Sequence, residues 1–445
     1  MKRNDKITLK IKELNEDGKG VGFLYGQKVI VPNTLENETV KATVTSSYYS
    51  ETTAKVDEVL EANAHRVLPK CPYIEICGGC NLQHIDYAEQ LNFKKQIVKT
   101  ALKEFSNIKV EDTVGVYYPY EYRNKIHFAI AKKAGKVIVG FFEEGSKQIV
   151  DIPNCSLYDT WAQKLYAILK EYLKISKIEP YDIDEQKGLL RYVTARYLDN
   201  QIIVTMVTTK KLLPESKTLY ELLKKEFKKI SLYLNVNTRT DSFVYGEEFI
   251  HLYGEQALVA KIMGVEVELF PTSFLQINTP MMTKIYKKVI ELAGVSKNSV
   301  ILDLFSGIGI TSVLFASLGA QVISVELEKS AVIEARRLIK KNGFMGQVKA
   351  LEGDCNKIVK ELMKELPAEK EKIIFVDPPR KGLEKTASVL ASSGAQKIIY
   401  LSCNPFSLSE DLKTLTKNYK IKTIIPYDMF PQTKHVETLL ELELI

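Results

Sequence analysis

The chain has 445 residues, 45% of them apolar and 26% charged, with no low-complexity tract; this argues against disorder and for roughly two to four domains. No stretch is apolar long enough to span a bilayer, and the charged first twenty residues lack a signal-peptide core, which predicts a cytoplasmic protein with no membrane partner. A formal charge of +7, carried mostly by lysine, favours a polyanionic partner without requiring one.

Residues from about 5 to 60 alternate apolar and polar positions in "KITLKIKEL", "GVGFLYGQKVIVP", "ETVKATVTSSYYS" and "TTAKVDEVL", broken by "EDGKG" and "PNTLENE". Period-two alternation interrupted by Gly, Pro and Asn predicts a small antiparallel barrel, an architecture that binds nucleic acid in some proteins and is a scaffold in others. Next come Cys71, Cys77 and Cys80 in a C-x5-C-G-G-C pattern, with Cys155 following in "DIPNCSL". In a reducing compartment four thiolates point to a metal rather than to disulfides, and their spacing does not divide zinc from an iron–sulfur cluster.

The segment "YAEQLNFKKQIVKTALKEF" has apolar residues at helical spacing. From 117 to 260 strands ("NKIHFAIA", "KVIVGFF", "LLRYVTARY", "NQIIVTMVTT") mix with helices ("TWAQKLYAILKEYL", "SKTLYELLKKEFKKI"), which predicts an α+β region. At its start Tyr117, Tyr118, Tyr120 and Tyr122 interleave with Arg123, Lys125 and His127. Aromatics beside cations suit a folded RNA loop; a tyrosine-rich strand with a solvated basic edge is the competing explanation.

Beyond about 270 short apolar runs alternate with helical segments, which predicts a doubly wound parallel α/β sheet with ligands at the carboxyl ends of its strands. The first run ends in Asp303, Leu304, Phe305, Ser306, Gly307, Ile308 and Gly309, a turn tight enough to bring backbone amides to a ligand or simply a tight turn. Glu326 ends the second run, where a carboxylate can accept from ribose hydroxyls. Asp354, after the third, can reach an adenine edge or cap a helix. The fourth delivers "FVDPPRKG", in which Asp377 begins a rigid proline loop and Arg380 stands where adenine amino-methyltransferases carry an aromatic. The fifth ends at Cys403 in "LSCNP". Carbon 5 of a pyrimidine is a poor nucleophile until a thiolate adds to carbon 6, so a thiol beside a methyl-donor site suits that chemistry. Glu437, in the last element, is a candidate base for the carbon-5 proton, with His435 as an orienting neighbour or an alternative base.

Taken in order, "DLFSGIG", "DPPRKG", "LSCNP" and "DMFPQTKHVETL" resemble the RNA uracil-5 methyltransferases that make 5-methyluridine in ribosomal and transfer RNA. The resemblance covers the whole chain, since "GKGVGF" resembles the TRAM barrel of that family. It implies Cys403 as nucleophile, Glu437 as base, and S-adenosyl-L-methionine contacts at Gln276, Phe305, Glu326 and Asp377, with Asp303 and Gly307 in the same turn region. Ser306 and Ile310 depart from the family's usual residues, which bears on cofactor packing rather than on reaction type. In ribosomal RNA members the four matching cysteines hold a [4Fe-4S] cluster, which favours iron–sulfur over zinc at Cys71, Cys77, Cys80 and Cys155; Cys355 is assigned to packing. Transfer RNA members commonly lack this knot, which favours 23S rRNA as the partner over uracil-54 of tRNA. A noncatalytic RNA-binding protein is the reading from another class.

The expected organisation is a TRAM barrel over 1–62, a central α+β iron–sulfur domain over 63–83 and 116–268, and a Rossmann-like methyltransferase domain over 84–115 and 269–445. No obligate protein partner is expected.

Overall fold

The computed structural model describes residues 1–48, 51–241 and 243–445. At the amino end, strands Lys6–Leu14, Gly20–Leu24, Gln27–Val31, Thr39–Ser47 and Thr52–Glu61 close into a barrel. The alternation works as expected: Ile7, Leu9, Ile11, Val29, Val31, Val40, Ala42 and Val44 point inward. The run "ETVKATVTSSYYS" is a strand only to Ser47, and its Tyr49 and Ser50 lie outside the described residues. Gly22 lets two barrel strands approach closely, for a Cβ there would come within 2.7 Å of the Lys10 carbonyl oxygen. The barrel is fastened to the following segment by Arg66, whose guanidinium donates to both carboxylate oxygens of the fully buried Glu38.

A mixed seven-stranded sheet occupies the middle of the chain, in the order Glu248–Gly254, Lys229–Val236, Gln201–Thr208, Leu190–Leu198, Lys125–Lys133, Lys136–Phe142, Ile149–Asp151. Helices Thr160–Ser176 and Ser216–Glu226 cover one face and share its core with Phe128, Val193 and Val204. The second helix stops earlier than its sequence pattern suggests. Phe227 turns to extended backbone and Lys229 already begins a strand, so tertiary pairing overrides the helical periodicity of "EFKKI". Likewise the segment after the cysteines is α-helical only over Tyr87–Ala101, with a single 3-10 turn at Lys103–Phe105.

The carboxyl-terminal sheet runs in the order Val348–Glu352, Gln321–Glu326, Ser299–Leu304, Glu371–Val376, Lys397–Ser402, Glu437–Leu444, Tyr419–Tyr427. Its first five strands are parallel, and helices cover both faces, which is why those strands read as unbroken apolar runs. The Glu437–Leu444 strand enters antiparallel between two neighbours, with Ser402 opposite Thr438. That reversal brings the beginning of the last strand to the edge where the parallel strands end. Helix Tyr87–Ala101, far earlier in sequence, packs Phe93, Ile97 and Val98 into the core on one side of this sheet. The hairpin Leu258–Ile262 and Val265–Leu269 joins the core on the other side and also touches Ile203 and Tyr233 of the central sheet. Among the described residues no helix is long and apolar enough to cross a membrane.

Candidate active site

The turn after Ser299–Leu304 needs left-handed backbone at Phe305, Gly307 and Gly309, with φ of 59°, 54° and 81°. A Cβ placed on Gly307 would meet nothing within 4 Å, so the turn opens onto free space above the strand ends. Glu326, at the end of the neighbouring strand, holds this turn by accepting from the Gly307 amide at 2.9 Å. Its other oxygen accepts from the Glu328 amide at 2.9 Å. Asp354 caps the Cys355–Glu365 helix, accepting from Asn356 at 2.9 Å. Cys355 is buried in the core.

Asp303 is fully buried and accepts from the Thr311 hydroxyl at 2.7 Å, while its Oδ1 has no partner. Burial pushes its carboxyl up to about 6, against the hydrogen bonds from Ser312 and Thr311. Asp377 is pushed up to about 7, by burial and then by the charge of Asp303. The proline loop that begins there is fastened from below. Asp411 accepts from the Leu383 amide at 2.8 Å and from the Tyr400 hydroxyl at 2.6 Å, and Gly382, at φ 80°, leaves room for that carboxylate.

Cys403 follows the Lys397–Ser402 strand and precedes Asn404, which caps the next helix by accepting from Phe406 at 3.1 Å. The Asn404 amide also donates to the Arg380 carbonyl at 3.2 Å, tying the cysteine turn to the proline loop. Glu437, 3% exposed, begins the adjacent antiparallel strand, and its Oε2 has no partner. Burial and the Asp377 charge push Glu437 up to about 8, with Arg380 opposing. Burial, Glu437 and Asp377 push the Cys403 thiol up to about 12, again against Arg380. Cys403, Glu437, Asp377 and Asp303 therefore gather at one sheet edge as a field of acidic groups, with Arg380 as the opposing cation. Such a site is built to receive positive charge.

Several participants carry no sequence signal of their own. Tyr286 is buried among Asp377, Asp303 and Glu437, its phenol pushed up by burial and by those carboxylates, yet in sequence it is only one apolar position of an amphipathic helix. The loop leading to Glu437 is clamped by helix Tyr87–Ala101. Buried Lys94 pairs with buried Asp428 and donates to the Phe430 carbonyl at 3.1 Å, while the Tyr87 hydroxyl donates to Asp428 at 2.9 Å. Gln90 and Gln432 exchange hydrogen bonds at 3.0 and 3.1 Å. Lys434 of the same loop pairs with Asp17 of the barrel. Asp428 opens the "DMFPQTKHVETL" run, so its place in that motif was the available clue. His435 lies edge-on to Phe430, with centroids 5.8 Å apart; burial and nearby cations push it down to about 4 and keep it neutral.

Gln276 is buried in the loop before helix Thr279–Ala293, and its carbonyl accepts from Asn124 at 3.0 Å. Two residues earlier Phe274 is 66% exposed. Of the tyrosines proposed to stack on bases, Tyr122 is buried and donates to the Pro431 carbonyl at 3.0 Å, so it serves the loop instead. Tyr117 is fully exposed.

Cys71, Cys77, Cys80 and Cys155 line one cavity of about 80 Å³, together with Ile74, Phe141, Leu157, Tyr158 and Arg123. All four are free thiols with raised pKa values, Cys80 at about 11 and Cys155 at about 12, each mainly through burial. The Gln83 amide donates to the Cys80 sulfur at 3.3 Å, and the Arg123 Nε is buried without a partner. Among the described residues no group of three or more His, Cys, Asp or Glu is gathered so as to hold a single metal ion. The expected iron–sulfur domain is therefore met by four thiols around one cavity, not by a formed metal centre.

A family model described as tRNA (uracil-5-)-methyltransferase matches residues 86–444. The chain belongs to the tRNA (uracil-5-)-methyltransferase family. Members similar along the whole chain include an uncharacterised RNA methyltransferase of Clostridium tetani, 33% identical over 99% of this chain and 96% of the relative. Another, from Caldanaerobacter subterraneus, is 33% identical over 100% and 99%. Among solved structures, the Pyrococcus abyssi tRNA (uracil-54, C5)-methyltransferase in complex with S-adenosyl-L-homocysteine superposes with a TM-score of 0.80 at 28% identity. It covers 98% of this chain and 100% of that one. The amino-terminal barrel lies outside the family match, and the structural superposition extends over it. Membership of this S-adenosylmethionine-dependent family accounts for the acidic strand edge, whose donor substrate carries positive charge.

Proposed function

We propose that the protein methylates carbon 5 of a uridine in 23S rRNA, with S-adenosyl-L-methionine as donor, through a covalent adduct between Cys403 and carbon 6. The observation that supports this reading is the antiparallel pairing of Ser402 with Thr438, so that a thiol and an orphaned carboxyl stand on adjacent strands beside Asp377. The fit to the donor rests on the open space over Gly307 and on the unpartnered oxygen of Asp303. Gln276, Phe305, Glu326 and Asp377, with Asp303 and Gly307, would hold it. When bound it supplies a methyl group on a sulfonium, an electrophile with positive charge.

The residues then act in order. A cation in this acidic edge draws Asp377 and Glu437 toward their ionised forms, because the repulsion and burial that raise them are offset. The target uridine must leave its stack to enter a site this recessed. Cys403 loses its proton to solvent and adds as thiolate to carbon 6, which turns carbon 5 into a nucleophile; carbon 5 then takes the methyl group as its bond to the donor sulfur breaks and leaves that sulfur neutral. After methylation Glu437, freed of its own proton, takes the one on carbon 5, and the Cys403–carbon bond breaks to restore the double bond. Lys94 and Asp428 hold the loop that aims Glu437, and Arg380 balances the negative charge around the thiol.

Cys71, Cys77, Cys80 and Cys155 would hold a [4Fe-4S] cluster. A single zinc ion, with Zn–S bonds of about 2.3 Å, would draw four sulfurs into mutual contact, whereas a cluster spreads one thiolate to each corner. Four thiols, Cys71 buried and the other three half-buried, line one cavity with the unpartnered Arg123 Nε beside them, a four-thiolate donor set that suits the second arrangement. Its role here is to tie the segment around Cys71–Cys80 to that around Cys155, since uracil methylation is redox-neutral.

The second reading, methylation of tRNA at uracil 54, is favoured by the activity named for the Pyrococcus abyssi relative. One experiment divides the two. Wild type and Cys403→Ala are incubated with 5-fluorouridine-substituted 23S rRNA fragments and tRNA, with and without donor, and protein–RNA adducts are read on denaturing gels and by reverse-transcription stops. The expected result is an adduct on 23S rRNA that needs both donor and Cys403. An adduct on tRNA alone moves the substrate to tRNA, and an adduct that survives Cys403→Ala removes the nucleophile assigned here.

A further inference from the structure

The helix-free face of the central sheet carries a cationic side-chain pair that folding alone does not account for. Lys125 and Arg196 sit directly opposite each other on neighbouring strands. Like charges in that register are destabilising unless something anionic joins them. No carboxylate among the described residues faces either. Arg196 is spent on neutral groups, donating to the Ser273 carbonyl at 3.3 Å and the Leu275 carbonyl at 3.4 Å. Lys125, only partly exposed, has the Tyr245 ring 5.9 Å from its Nζ. Burial and Arg196 push the Lys125 ammonium down to about 8, the direction expected for a cation awaiting a counter-charge.

The surroundings narrow the class of anion. Tyr245 packs against Phe249 at 5.2 Å and His127 at 6.1 Å between ring centroids, and its hydroxyl meets Thr194 at 2.6 Å. His127, on the surface, is pushed down to about 4 by desolvation and the adjoining cations, so its ring is neutral. Aromatic rings beside cations that lack a carboxylate partner are typical of single-stranded nucleic acid sites, where bases stack and phosphates meet ammonium groups. Position agrees with this. Asn124, next to Lys125, and Arg196, across from it, both hold the loop that carries Gln276, so the patch adjoins the active-site edge.

We propose that Lys125, backed by Arg196 and flanked by His127, Tyr245 and Phe249, seats one backbone phosphate of the single-stranded RNA segment adjoining the target uridine. The proposal rests on the RNA-methylation reading above. It is tested with the full chain and Lys125→Gln, with Lys125→Arg as the conservative control, by measuring the affinity for a 23S rRNA fragment and a tRNA transcript across a salt series. Loss of one charged contact weakens RNA binding by about ten-fold at low salt. The slope of log affinity against log salt becomes shallower by about 0.7, the value for one phosphate on a single strand. Lys125→Arg keeps the slope, the donor binds as tightly as in wild type, and the activity loss falls on KM for RNA rather than on kcat. Equal affinity and equal slope for wild type and Lys125→Gln overturn the phosphate seat alone. Weaker donor binding in Lys125→Gln also overturns it, since the residue would then act through the fold. If wild type binds neither RNA, the functional reading fails first and takes this inference with it.

Discussion

Two groups of cysteines in this molecule share one physical condition and differ in their company. Burial raises the thiol at Cys403 and at Cys71, Cys77, Cys80 and Cys155 alike. Around Cys403 stand Glu437, Asp377 and Arg380, groups able to take or balance a proton. Around the other four stand apolar side chains, Tyr158 and Arg123, with the thiols facing a shared cavity. A raised thiol pKa thus identifies neither a nucleophile nor a ligand; neighbouring proton acceptors favour one role, and three more sulfurs favour the other.

The largest expected effect tests the first half of that contrast. Glu437→Gln keeps the shape of the site and removes the base, so methyl transfer to RNA falls by roughly 10²- to 10⁴-fold. Because the adduct forms before the proton leaves, methylated RNA accumulates bound to Cys403 and should appear as a donor-dependent slow band on denaturing gels. A fall in turnover without that band would assign Glu437 to the fold instead. For the second half, wild type purified without oxygen is expected to carry iron and acid-labile sulfide, and Cys155→Ser should abolish both and lower the melting temperature, since binding energy at such sites is folding energy. Wild-type protein free of iron, or a Cys155→Ser variant with undiminished iron, breaks the proposed division between the two thiol groups.

The smallest effect concerns pH. Glu437 rises from an ordinary 4.5 to about 8, so the folded protein holds that proton more tightly than the unfolded chain. Its influence is absent below about pH 4.5, grows as pH rises, and is complete above about pH 8, where the buried carboxylate destabilises the fold. Asp377 acts in the same sense between its ordinary 3.8 and about 7. Donor-free Glu437→Gln should therefore melt a few degrees above wild type near pH 9 and level with it near pH 4.5. A constant difference across the range would show that the Glu437 carboxyl titrates at its ordinary value in the folded protein.

Much of the candidate site was readable because its side chains sit where strands end. Asp303, Glu326, Asp377 and Cys403 each follow an apolar run, and parallel strands deliver such residues to one edge whatever the order of the strands. The family was readable from motifs in a fixed order along the chain. Short-range patterns failed where long-range contacts outvoted them, as at Phe227, where a helical pattern yields to a strand, and at Tyr122, an aromatic in a basic stretch that is buried against Pro431.

The sequence by itself therefore determined the barrel, the doubly wound sheet, the residue types of the candidate site and the four-thiol set, because periodicity and strand-end position are local properties. Tertiary structure alone decided that Glu437 stands beside Cys403, through the reversed direction of one strand. It also decided that Lys94, more than three hundred residues away, clamps the loop that aims Glu437. The same holds for Lys125, which faces Arg196 without a carboxylate among the described residues. Charge pairing across strands and helices depends on register and packing, and no spacing along the chain encodes it.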